Sequence, residues 1–237
     1  MPPRPEGRPH VTSHTWVVER NRHEESLTFG LRMILFIILP AMLGLILLRQ
    51  PIVHLFFEHG SFTATDTAAT ATAVLCYAVG LWAFAGVRII VAAFYSLQDT
   101  VTPAAVAAIS VLANLAFSIL LMDHLEAAGL ALATALASMV NVGLLVAILT
   151  RRLGGVAWLS VGQSALRTLL ATVPLVAVCL RVSGAEAWTH EGDWIGKTVI
   201  LTGGISLSVT GYIGIHALLK SDELDTVWQI VRRKVRG

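Results

Sequence analysis

Apolar residues in this chain come in long runs of about 20 or more, not in the alternation of strands or the one-sided stripe of soluble helices. The first, Thr28 to Leu48, reads TFGLRMILFIILPAMLGLILL and is long enough to cross a hydrocarbon core as a helix. Five more follow at about 67–97, 103–122, 129–150, 166–182 and 194–219. The pattern predicts an all-α polytopic membrane protein with about six transmembrane helices. Residues 27–154 hold four of them and 155–219 a terminal pair. Residues 1–26, Pro-rich and basic, are expected to form a disordered tail. Residues 220–237 read as an amphipathic tail, basic at its end and suited to an anionic leaflet.

Polar residues inside these runs carry most of the information. Pro40 removes a backbone hydrogen bond in mid-span and is expected to kink the first helix. Arg32, in its first turns, reads as an interfacial anchor. Pro51 opens a patch, Ile52 to Phe57, too short to span and read as an interfacial helix. Thr65 or Asp66 is the expected N-cap of the next span. That stretch, Thr65 to Pro103, is expected to organise the rest, because Arg88 lies well inside it. At helical spacing Tyr77, Leu81, Phe84, Arg88 and Tyr95 share one side. With a helix over about 70–96, Arg88 sits about 8 Å from its middle. A charge at that depth faces a protein interior or a wet cavity. It either bonds carbonyls or an acid between helices, or contacts an anion in a cavity.

The third and fourth spans carry small and polar residues at intervals of four. Ser110, Asn114 and Ser118 line one, and Gly129, Ala133, Ala137 and Asn141 the other. Such stripes let membrane helices approach closely, with Asn adding an interhelical hydrogen bond. Packing is the favoured role, with Asn114 and Asn141 as substrate-binding candidates should the stripes line a polar cavity. The short link DHLEAAG makes the two helices antiparallel neighbours.

Composition agrees with a membrane protein. Of 237 residues 55% are hydrophobic and 14% charged, with a mean hydropathy of +0.73, more apolar surface than a soluble domain can hide. A net charge of +2 gives no case for nucleic-acid binding. Cys76 and Cys179 lie inside apolar runs, without a disulfide framework or metal spacing. His54 and His59 are five apart, not the four of a helical metal site. No hydrolase triad, zinc-protease motif, phosphate loop or dinucleotide turn occurs, so neither an enzyme nor a cofactor is expected. Arg4, Arg8, Arg20, Arg22, Arg151, Arg152, Arg167, Lys220, Arg232, Arg233, Lys234 and Arg236 fall on the side of the termini. Only Arg49, Arg181 and Lys197 fall opposite, so both termini are expected in the cytoplasm.

Two strings go further. LPAMLGLILLRQPIVHLFFEHGSFTATDT, followed by YAVGLWAFAGVRIIVAAFYSLQDTVTP, resembles the MurJ/MviN lipid II flippases. The Leu-Pro of the first span, the turn Leu55-Phe56-Phe57-Glu58-His59-Gly60-Ser61-Phe62, the Tyr-x-x-Gly-Leu pattern and the Phe-Tyr-Ser-x-x-Asp-x-x-x-Pro link are distinctive in combination. GLALATALASMVNVGLLVAIL is similar to that family's next-but-one helix. The resemblance is strong over about 28–154 and compatible beyond. It implies part of a fourteen-helix fold, the ninth to fourteenth helices, in the superfamily of multidrug, oligosaccharidyl-lipid and polysaccharide exporters. It also implies translocation of undecaprenyl-pyrophosphate-linked peptidoglycan precursor across the bacterial inner membrane. The implied partners are that precursor, membrane lipids, and the earlier helices in the same or a separate chain. Arg88 matches a basic position in the tenth helix. Because alternating access needs two lobes, the chain is expected to be a truncated or split piece, inactive alone. The alternatives are part of another exporter of the superfamily, or a non-transporting membrane subunit or remnant.

Overall fold

The computed structural model describes residues 13–58, 60–153, 158–185, 188, 194–219 and 221–236. Helix α1 (Ser13–Phe57) is followed by α2 (Ala64–Val79), α3 (Leu81–Ser96), α4 (Val101–Leu153), α5 (Trp158–Ala171), α6 (Val173–Ser183), α7 (Trp194–Leu218) and α8 (Asp222–Arg236). Glu25–Phe57, Ala64–Ser96, Val101–Arg152 and Trp194–Leu218 are each long and apolar enough to cross a membrane. The pair α5–α6, bent by 42° at Thr172, passes the same test of length and composition when taken together, as a broken span or a re-entrant loop.

Helix α4 is two crossings in one. Glu126 interrupts it with φ 49° and ψ −125°, a left-handed backbone that non-glycine residues adopt at a cost of about 1–3 kcal/mol. Beyond it the chain reverses: a Cβ on Gly129 would lie 2.4 Å from the Leu121 carbonyl oxygen, so only glycine fits. Arg152 then returns to within 3.2 Å of Thr102. A straight helix would hold those two residues about 75 Å apart at 1.5 Å per residue. The arms form the antiparallel neighbours that the DHLEAAG link suggests, bringing the crossing-length segments among the described residues to five, or six with the α5–α6 pair counted as one span.

Helix α1 is the hub, and the expectation that 65–103 organises the fold is corrected. Leu27 and Leu31 enter a core with Ala83, Ile90, Phe94, Val142, Leu145 and Leu149. Further along, Phe36 and Leu48 enter a second core with Ala171, Leu175, Cys179, Leu201 and Tyr212. Residues 13–26 are helical, not a disordered tail; residues 1–12 lie outside the described residues. The patch Ile52 to Phe57 is no separate interfacial helix either, because α1 runs on through Pro51. Proline costs a membrane helix one hydrogen bond, and a neighbour can replace it. At Pro40 the freed carbonyl is that of Phe36, and the hydroxyl of buried Tyr212 on α7 donates to it at 2.7 Å.

The second span starts one turn earlier than expected. Thr63, not Thr65 or Asp66, is the N-cap, and Asp66 is its capping-box partner, accepting from the Thr63 amide at 2.8 Å. The span breaks at Gly80, where the α2–α3 run presses on the second arm of α4. A Cβ on Gly80 would stand 2.6 Å from the Ala135 Cβ, and one on Gly86 3.2 Å from Val142 Cγ2. Both contacts advance in the same chain direction, so these neighbours run parallel. Ala133, Ala135 and Ala137 are buried along that arm, whereas Val111, Leu112, Leu115, Ile119 and Leu120 of the first arm are exposed.

Candidate functional site

Arg88 lies on α3 with one face of the helix sealed and the other open. Ala83, Ile90 and Phe94 are buried against α1 and α4, and Arg88, Tyr77 and Tyr95 are exposed on the opposite side. Tyr77 and Phe84 stack at 5.0 Å with 25° between their planes, so the aromatic neighbours read from the spacing do meet. No carbonyl or acid among the described residues bonds the guanidinium, so the helix-packing role for Arg88 has no partner among them. Measured over Ala64–Ser96, Arg88 is eight residues, about 12 Å, from the midpoint. The expected 8 Å came from starting that helix too late.

Asn114 and Asn141 stand on the two arms of α4, half-buried. Thr102 meeting Arg152 puts them at nearly equal height. The Oδ1 of each is buried without a hydrogen-bond partner among the described residues. Ser110 back-bonds the Val106 carbonyl at 3.0 Å, an ordinary packing arrangement. A buried amide oxygen without a donor costs about 1–3 kcal/mol, so each is a place where a ligand's N–H or O–H would be welcome.

An apolar cavity of about 490 Å³ opens between α1, α6 and α7. Phe36, Pro40 and Gly44 line it from α1, Leu175 and Cys179 from α6, and Ile205 and Tyr212 from α7. The small residues on α1 make the room, a signal available in the Pro40-x-x-x-Gly44 spacing. Cys179 packs there, its sulfur 3.7 Å from the Ser208 hydroxyl.

Charges gather at the two ends of the bundle. At one end Arg32, near the start of its span, is tied to α8: its Nε and a terminal nitrogen donate to Glu223 Oε1 at 2.9 and 2.7 Å, and Ser164 on α5 adds 2.8 Å. Burial pushes the Glu223 carboxyl up, but Ser164, its own amide and Arg32 together hold it below the usual carboxylate range. Nearby, the hydroxyl and amide of Thr102, with Arg152 behind them, bring Asp99 down to about 2. At the other end His54 Nδ1 meets Glu58 at 2.8 Å and its Nε2 meets Lys197 at 2.9 Å. The Thr67 hydroxyl, followed by His54 and Lys197, lowers Glu58 against burial that raises it. Arg32–Glu223 and His54–Lys197 were not legible, since they join residues far apart in sequence. No group of three or more potential metal ligands occurs among the described residues, and His59 is outside them.

Several apolar helices of crossing length, packed around one another with an open face that carries Arg88, define a polytopic membrane protein. The family model "Lipid II flippase MurJ" matches residues 9–201, and the chain belongs to that family. It is 38% identical over 123 residues to a "Probable lipid II flippase MurJ" of Rickettsia prowazekii, covering 52% of this chain and 24% of that protein. The protein of the same description from Vibrio cholerae is 29% identical over 219 residues, 90% of this chain and 39% of its own length. A solved structure, "Lipid II flippase MurJ, inward closed conformation", superposes with a TM-score of 0.63 at 23% identity, over 89% of this chain and 44% of that one. The chain thus spans between a quarter and two-fifths of the length of these two curated relatives.

Proposed function

We propose that this chain supplies the C-terminal helices of a lipid II flippase, moving undecaprenyl-pyrophosphate-linked peptidoglycan precursor from the inner to the outer leaflet of the bacterial inner membrane. The observation that carries the reading is the exposure of Arg88 on a face its own helices leave uncovered. A guanidinium pairs with phosphate oxygens in a bidentate fork, and a cation at bilayer depth needs such a partner or an acid. The apolar cavity between α1, α6 and α7 suits the polyprenyl tail, which needs carbon surface and no polar contacts. Asn114 and Asn141 offer acceptors for hydroxyls or amides of the headgroup. α8, basic at its end, lies against an anionic leaflet.

The charge bias puts both termini in the cytoplasm. In that orientation α3 descends toward the cytoplasm, and Arg88, in its lower half, meets the pyrophosphate on the side where the precursor is picked up. Alternating access requires a second lobe, so these helices work with the earlier helices of a flippase and not alone. The test is flipping by a complete flippase carrying these helices, comparing Arg88→Ala with Arg88→Lys. Losing a charge-assisted contact of about 1.5–3 kcal/mol lowers apparent affinity roughly 10- to 150-fold, and lysine restores part of it. Unchanged flipping by Arg88→Ala refutes the role.

A further inference from the structure

The polar cluster of His54, Glu58 and Lys197, at the end of the bundle opposite α8, is separate from the face that carries Arg88 and from the lining of the apolar cavity. Lys197 is 6% exposed, and among the described residues its hydrogen-bond acceptor is His54 Nε2, at 2.9 Å. An ammonium only donates, so Nε2 must be the unprotonated nitrogen. The ring proton is therefore on Nδ1, which donates to the Glu58 carboxylate at 2.8 Å. Glu58 accepts a second bond from Thr67, at 2.5 Å. One neutral imidazole thus relays a positive charge on α7 to a negative charge just past α1, with α2 bonded to the same carboxylate.

We propose that His54 is a proton-binding site that latches α1 to α7 when neutral and releases them when protonated. Histidine is the side chain whose charge changes between pH 5 and 8. A proton on Nε2 turns the acceptor into a donor and sets imidazolium against ammonium across a former hydrogen bond. Lys197 then has no described acceptor, and a buried cation without one leaves for water. The groups facing His54 from the packed elements are Glu58, Thr67 on α2, Lys197 on α7 and the Trp188 ring, edge-on at 6.0 Å. Uncharged Gln50 and Ser183 complete the cavity of about 210 Å³ that gives protons a way in. Ile52, two residues before His54, lines the apolar cavity, so parting these helix ends moves part of that cavity's wall. The use of that movement by a lipid tail rests on the proposed function; the latch does not.

The experiment needs no substrate, so its failure is distinct from failure of the flippase reading. The full chain is placed in lipid nanodiscs with Cys76 and Cys179 replaced by Ala and spin labels at Phe56→Cys and Ile195→Cys. Both label sites are well exposed, at 67% and 63%. Electron–electron distances are read at about pH 8 and about pH 5. The expected result is one narrow peak at the higher pH and, at the lower, a shift to longer distance exceeding that peak's width. His54→Gln keeps one acceptor and one donor but cannot titrate, and should hold the narrow peak at both. An unshifted peak in the otherwise native chain overturns the proposal, as does the same shift in His54→Gln.

Discussion

Proline at position 40 leaves the Phe36 carbonyl without its helical donor, and Tyr212 replaces that donor from another helix. Tyr212→Phe removes the hydroxyl and keeps the ring, which packs on Phe36 at 5.4 Å between centroids. An unsatisfied buried carbonyl costs about 1–3 kcal/mol, while interhelical hydrogen bonds in membranes average about 0.6 and reach about 1.7. The expected loss is therefore about 1 kcal/mol, close to fivefold in the unfolding equilibrium. Pro40→Ala returns an N–H to α1 and satisfies the carbonyl locally. In that background Tyr212→Phe should cost close to nothing, giving a coupling energy of about 1 kcal/mol in a double-mutant cycle. Reversible unfolding in mixed micelles supplies the four stabilities. Equal losses with and without Pro40 would refute the reasoning, since Tyr212 would then act through packing alone.

Gly80→Ala forces a methyl to within 2.6 Å of Ala135 Cβ and should cost about 1–3 kcal/mol by overpacking, read as a lower melting temperature. Gly143→Ala, with nothing within 4 Å of the new methyl, should not destabilise and serves as its control. Glu223→Gln weakens the tie from α8 to Arg32 and Ser164, so amide exchange at the start of α8 should rise while α3 is unaffected. The Glu223 carboxyl is lowered on folding, so its contribution is fully present above the ordinary carboxylate range near pH 4 and is lost as pH falls through the depressed value. Exchange in α8 measured between about pH 7 and pH 5, corrected for the intrinsic rate, should therefore show no loosening.

Apolar runs made the crossings legible, because lipid demands length and composition above all else. The reversal was legible too: Asp123, His124 and Glu126 interrupt an apolar run with Gly129 beyond. What misled was punctuation. Pro51 was weighed as it would be in water, where proline opens a new helix, yet α1 runs through it. Asp66 was recognised as a capping residue but given the wrong role, because Thr63 three residues earlier accepts the reciprocal bond. Of the site, Arg88 and its aromatic neighbours followed from a period of 3.6. Its exposure did not, since that depends on which flank α1 and α4 cover. The ion pair between Arg32 and Glu223 joins helices at opposite ends of the chain, and no local pattern encodes it.

Gly80 interrupts a helical run that is longer than a bilayer is thick. The run from Ala64 to Ser96 is about 50 Å long, against a hydrocarbon core of about 30 Å. A segment that much too long must tilt or bend, and the interruption at Gly80 is where bending takes least work. Arg88 rides about 12 Å beyond that interruption. Each 10° of bend there swings the base of the guanidinium arm by about 2 Å, close to the difference between a phosphate contact made and one broken. Where across the bundle this chain presents its cation thus depends on the bend at Gly80, a residue eight positions away.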